Sequence, residues 1–164
     1  MCDFIAGHYT ATWNAIALGQ LKPDEGLRSS TQDMAEEVKG DALGQTTQDL
    51  IYMGSEHSIA FTLIEYAKGV TAKVFHPWTS TAGQLGPVGS MAACGEFAKP
   101  LVMTAVGGTA YSEGAPASRT YRLTILAPGF PVDIAFKPGL REMPIRLKAL
   151  PKLNVSVYEF YTET

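Results

Sequence analysis

The side chains able to do chemistry are few and scattered along the chain. His8, His57 and His76 lie far apart, and none has a partner at HxH or HxxxH spacing. A zinc site would therefore have to be assembled entirely by the fold. Cys2 and Cys94 form no CxxC pair, which reads as two free thiols in a reducing compartment. Carboxylates gather at Asp33, Glu36 and Glu37 and again at Asp41 and Asp49. Two acids are the minimum equipment for glycoside hydrolysis, but a sugar groove also needs aromatic platforms, so a solvated acidic face is the plainer reading. There is no GxSxG elbow and no glycine loop ending in Lys-Ser or Lys-Thr, and Gly107-Gly108 lacks the third glycine of a dinucleotide site. No catalytic constellation emerges, so neither an enzyme nor a cofactor or metal site is expected.

The elements that would position these residues read as strands. Residues 8–13 and 15–20 are short β segments with Asn14 as a turn residue between them, and Lys22-Pro23-Asp24-Glu25-Gly26 is a turn. Residues 27–38 are polar on both alternating faces, one holding Leu27, Ser29, Thr31, Asp33 and Ala35 and the other Arg28, Ser30, Gln32, Met34 and Glu36. Such a segment lacks the apolar face that fixes register; it lines water, or it is a loop or a helical stretch through residues 34–39. Two strands follow at 48–53 and 58–66, separated by Gly54-Ser55-Glu56-His57. Further strands are expected at 72–78, 101–106, 121–126, 132–136, 145–150 and 155–161. Residues 90–99, SMAACGEFAK, are the best helical candidate, with Ser90 as N-cap and Gly95 as a weak point. Residues 107–118 form a long loop of the kind used for partner contact. Short strands divided by turn signals, with no strand-helix-strand rhythm, predict an antiparallel β-sandwich or barrel with one short flanking helix.

The chain has 164 residues, which fits one domain over 1–164. Hydrophobic residues make up 46% and charged residues 18%, so disorder is not expected and many exposed positions fall to Ser, Thr, Gln and Gly. That suits a protein covered by copies of itself. The net charge of −3 argues against a protein that grips nucleic-acid phosphates, which needs clustered Lys and Arg. No apolar run approaches the length of a membrane span, and the first residues carry no secretory pattern.

The opening GHYTATWNAIALGQ and the segment GDALGQTTQDLIYMGSEHSIAFTLIEY carry three motifs: W-N-x-x-x-L-G at Trp13 to Gly19, D-x-x-G-x-T-x-x-D-x-I-x-x-G at Asp41 to Gly54, and F-T-L-x-E at Phe61 to Glu65. Together they resemble the tail tube (major tail) proteins of long-tailed bacteriophages, mainly in the first half of the chain. The resemblance implies a small β-sandwich with a flanking helix, six copies of which close into a ring, with rings stacking into the tube through which double-stranded DNA leaves the virion. It implies a virion structural protein made in the host bacterial cytoplasm, whose partners are itself, the tail terminator and the distal tail and tape measure proteins. Under that resemblance Ser30, Gln32, Asp33, Glu36 and Glu56 are candidates to line the lumen without gripping DNA, and Phe4, Ile5, Trp13, Trp78 and Tyr161 are candidate contacts between subunits. The rival expectations are another virion β protein, such as a distal tail ring or capsid decoration, and a small-ligand barrel or hydrolase built on the acidic cluster.

Overall fold

The computed structural model describes residues 9–22, 25–39, 46–65, 77–78, 84, 86–93, 97–106, 116–130 and 142–164. The described residues are mainly β: β1 (Tyr9–Trp13), β2 (Ile16–Ala17), β3 (Gln20–Leu21), β4 (Arg28–Lys39), β5 (Thr47–Glu65), β6 (Lys99–Ala105), β7 (Ser118–Leu126), β8 (Met143–Ala149), β9 (Lys152–Asn154), β10 (Val157–Glu159) and β11 (Tyr161–Glu163). Every pairing is antiparallel. Nine strands share one sheet in the order β2-β1-β6-β7-β8-β5-β3, with β11 added on β7 and β4 on β5; β9 and β10 form a separate ribbon.

Strict alternation builds the core. In β8, Met143, Ile145, Leu147 and Ala149 are buried while Pro144 and Arg146 are exposed, and β6 alternates likewise through Leu101, Met103 and Ala105. Most of these side chains join Ala11, Trp13, Ile59, Phe61, Leu63 and Tyr121 in one cluster. Neighbouring strands sit about 4.8 Å apart, so in a flat sheet of this order β1 and β5 would be separated by roughly 19 Å and could not share a core. The sheet therefore curls. Its ends must nearly meet, because β2 at one end and β3 at the other are joined only through Leu18 and Gly19. Gly19 takes φ 106°, a left-handed conformation that suits glycine, and Leu18 is buried against the cluster with its N–H donating to the Ala11 carbonyl at 3.0 Å. The result is a curled, barrel-like sheet whose two end strands are linked by two residues.

The expected opening hairpin is present. Asn14 and Ala15, with φ of 51° and 61°, form its two-residue loop, the positive-φ pair that matches the twist of the flanking strands.

Four expectations are corrected. Residues 48–53 and 58–66 are not two strands but parts of the single strand β5, which runs through Gly54-Ser55-Glu56-His57. The register with β4 slips by one residue at Met53, and Gly54 at φ 134° absorbs this bulge without breaking the ladder. The helical alternative for residues 34–39 is overturned, because they continue β4 paired with β5, through a second one-residue slip at Gln48. The helix expected at 90–99 is not present among the described residues. Ala92 and Ala93 lie in a turn whose Ala92 carbonyl accepts from the N–H groups of Phe97 and Ala98 at 3.0 and 2.9 Å, and Lys99 already belongs to β6. The strand expected at 155–161 is interrupted by the Val155-Ser156 turn and by Phe160, giving β10 and β11. Most of the expected strand at 72–78, the strand at 132–136 and most of the loop at 107–118 lie outside the described residues, as do Cys2, His8, Asp41, His76 and Cys94.

Candidate functional site

The feature without a place in the body is the outer part of the β4–β5 hairpin. β8 pairs with β5 only from His57 to Leu63, and β3 pairs with it at Leu63 and Glu65. From Thr47 to Glu56, β5 therefore has β4 as its one strand partner among the described residues. At about 3.3 Å per residue this two-stranded arm extends roughly 30 Å. Every residue of β4 is exposed, as are Thr47 to Met53 of β5. Leu50, Ile51, Tyr52, Met53, Met34 and Val38 are apolar side chains left open on it. A lone two-stranded ribbon is marginal in water, and its side-chain ties are thin. Tyr52 bonds Ser55, whose hydroxyl donates to Asp33 at 2.6 Å; farther out, Glu37 accepts from Thr47 and pairs with Lys39, each at 3.0 Å.

Alternation and register place the candidate lumen residues. Ser30, Gln32 and Glu36 share one face of β4, and Glu56 lies opposite Gln32 on that same face. Asp33 is on the other face, opposite Ser55. The structure thus brings four of the five together. It also sets Asp33 and Glu36 on opposite faces, so these two carboxylates do not converge on one bond.

The face bearing Ser30, Gln32 and Glu56 continues onto the body as a groove. Arg28 lies beside Ala60 and Ala60 beside Arg146; one row along, Ser30 lies beside Ser58 and Ser58 beside Lys148. Two contiguous hollows of about 540 and 530 Å³ share Ser30, Ser58, Phe130 and Arg146. Acids stand at both ends. Glu56 accepts from the Lys148 ammonium at 2.7 Å. Glu25 bonds Thr62 and Lys22, and these two contacts hold its carboxyl below the usual range. Between them Arg28 and Arg146 are both exposed and pair with no acid among the described residues; Arg28 acts on Glu25 only through space. Sequence reasoning missed this groove. Its one local signal was Arg146 and Lys148 alternating with Ile145, Leu147 and Ala149 on β8.

On the opposite face, where the arm leaves the body, aromatic and polar side chains interlock. His57 is buried, its Nδ1 lies 3.1 Å from the Thr31 hydroxyl, and its ring stacks 4.0 Å from Phe160. Burial pushes its pKa down, Asp33 opposes the shift and Arg119 adds to it. Tyr121 bonds Ser29, and the Arg119 guanidinium sits 4.5 Å over the Tyr161 ring while paired with Glu163. His57 thus serves packing: its ring meets a threonine hydroxyl and two aromatic rings rather than an activated nucleophile. No three His, Cys, Asp or Glu side chains among the described residues converge as a metal site.

The candidate subunit contacts fare differently. Trp13 is only 4% exposed, with its indole N–H donating to Thr124 at 3.0 Å, so it belongs to the core and has almost no surface to offer a neighbour. Tyr161 is half-buried against Tyr121 and His57 within its own chain. Trp78 is exposed and leans on Phe97 at 5.3 Å. Phe4 and Ile5 lie outside the described residues.

No protein-family model matches the chain, and no curated protein matches it significantly. Among solved structures it is similar in fold to the tube terminating cap of the anti-feeding prophage, determined by cryo-electron microscopy. The TM-score is 0.51 over 96% of this chain and 89% of the cap, at 10% sequence identity. At that identity the likeness is one of fold, and chemistry has to be argued from the residues themselves.

Proposed function

We propose that this chain is a structural subunit of a bacteriophage tail tube, assembling into hexameric rings that stack into the conduit for DNA ejection. The observation that carries the reading is the exposed β4–β5 arm, a ribbon that has no further strand partner among the described residues and leaves six apolar side chains open, marginal on its own in water and strengthened when neighbouring copies cover it. Side-by-side pairing of such arms from successive copies closes a shared barrel and removes the edges. The tail-tube-like motifs at Trp13 to Gly19 and Asp41 to Gly54, and the fold likeness to a tube terminating cap, support the same assignment. In this reading the protein resides in the virion tail after synthesis in the bacterial cytoplasm, works without a cofactor or catalytic step, and meets the tail terminator, distal tail and tape measure proteins at the tube's ends and interior. Double-stranded DNA passes without specific binding.

The likeness to a cap favours one second reading, a terminating subunit that forms a single ring and stops growth. Negative-stain electron microscopy over a concentration series separates the two. Hollow tubes of uniform width are expected of a tube subunit, and isolated rings of a terminator. Monomers at every concentration would sink both.

A further inference from the structure

The basic groove and the outer arm are complementary in charge and in apolar surface. Beyond Gln32 and before Gly54 the strands of the arm carry four acids, Asp33, Glu36, Glu37 and Asp49, against the single Lys39. Register puts Glu36 opposite Ile51 and Val38 opposite Asp49, so Glu36 and Asp49 occupy one face on a diagonal of about 7–8 Å between Cα atoms. Asp49 accepts the Leu50 N–H on Oδ1 at 2.8 Å. Met34, Ile51 and Val38 lie around the two carboxylates. The groove offers Arg28 and Arg146 two strand spacings apart, about 10 Å between Cα atoms, within reach of flexible side chains. Phe130, Pro128 and Pro144 supply its apolar walls.

We propose that the groove receives the outer arm of a second copy of this chain, with the Glu36 and Asp49 carboxylates on the Arg28 and Arg146 guanidiniums and Met34, Ile51 and Val38 against Phe130 and Pro144. The inference rests on the self-assembly reading above and names the surfaces that carry it. A copy cannot serve itself, because its arm and groove are parts of the same continuous β4–β5 ribbon. The contact is therefore head-to-tail, the kind of interface that closes into rings or runs on as a filament. A duplex is the poorer occupant: the guanidinium pair is bounded by Glu25 and Glu56, whereas a phosphate track calls for an uninterrupted row of cations.

The test is a charge exchange in the full chain, read by sedimentation velocity. Arg28→Glu/Arg146→Glu and Glu36→Arg/Asp49→Arg are each expected to weaken association about tenfold or more, since like charges then face each other. Mixing the two variants restores association, because acidic arms meet basic grooves and basic arms meet acidic grooves. Thermal melting of each variant monitors the fold; if either reversal unfolds, the milder Arg→Gln and carboxylate→amide pairs replace it and are expected to weaken association without rescue on mixing. A wild-type protein that associates while both folded reversals associate equally well overturns this docking and leaves the self-assembly reading standing. Failure of the mixture to recover overturns it too. A wild-type protein that stays monomeric overturns both. Loss of binding to a short DNA duplex in Arg28→Glu/Arg146→Glu, with association unchanged, would make the groove a phosphate site instead.

Discussion

Leu50 and Ile51 are adjacent on β5 and face opposite sides of the arm, with 61% and 52% of each residue's surface exposed in the isolated chain. Complete burial of such a side chain is worth about 1.5–3 kcal/mol, so covering the roughly half that is open contributes about 1–1.5 kcal/mol each when neighbouring copies pack on both faces. Replacing both by Ser removes about 2–3 kcal/mol from each arm contact, which corresponds to about 30- to 150-fold in the association constant. The isolated chain loses almost nothing, since exposed substitutions away from special features stay within about 0.5 kcal/mol. Sedimentation equilibrium reads the first quantity and urea unfolding below the association threshold reads the second. Leu50→Ser/Ile51→Ser is expected to leave the unfolding midpoint in place while the concentration for assembly rises by that factor. Unchanged assembly would refute the argument that the arm is an interface. A large fall in monomer stability would refute the claim that these side chains stand open. The single variants separate the faces: Ile51→Ser acts on the face bearing Glu36 and Val38, and Leu50→Ser on the face bearing Glu37 and Tyr52.

Three further outcomes follow from the body. The Thr124 hydroxyl accepts from the Trp13 indole at 3.0 Å and donates to the Lys99 carbonyl at 2.8 Å, so Thr124→Val strands two partners in the core and is expected to lower stability by about 2–4 kcal/mol; a loss under about 0.5 kcal/mol in urea unfolding would contradict it. Val155 holds φ 56° at the tip of the β9–β10 ribbon, costing a branched side chain about 1–2 kcal/mol, and Val155→Gly is expected to return about 0.5–1 kcal/mol after glycine's own entropy cost; a lower urea midpoint would count against this strain. His57 is buried with its pKa below the ordinary 6.5, so the unfolded chain takes up the proton first as pH falls, and the stability present above 6.5 declines through and below that value. Melting between pH ~7.5 and ~5.5 should therefore drop more steeply for the wild type than for His57→Gln, and equal slopes would remove His57 from the account.

What the sequence displays and what it hides follow from burial. In β6 and β8 every second residue faces the core, so the strands can be read directly from the alternation of apolar and polar residue types. Asn14 marks its turn because it tolerates positive φ. Gly54-Ser55-Glu56-His57 has turn composition, but its backbone groups find partners along β4, so the strand continues and the glycine serves a bulge. The span 90–99 has helical composition, yet Lys99 is drawn into β6 by pairing with Thr124, a long-range contact that local propensity cannot register. The acids of the candidate site stand out in the sequence as a cluster, and their division between two faces follows from β4 being a strand. The groove is hidden because Arg28 and Arg146 come from opposite ends of the chain and become neighbours only across β5.

The curvature of the body bears on why the proposed assembly uses the arm. A β-sheet with open edges recruits any strand that fits, and proteins suppress this by covering or closing their edges. Here the Leu18-Gly19 link brings the two ends of the main sheet together, and its end strands β2 and β3 are only two residues long, so among the described residues the open edges of the body are short. β4 and the outer half of β5 are left uncovered instead, and on them the sequence places alternating acids, hydroxyls and apolar side chains rather than a uniform hydrophobic strip. Mixed side chains lower the gain from any one wrong partner, because a buried carboxylate without a cation is costly. A complementary neighbour must present cations and apolar surface together, and the groove at the base of the same hairpin presents both. Under the proposed docking, association depends on the pairing of arm with groove while stability of the single chain depends on the barrel core, so the two quantities can be changed separately by mutation.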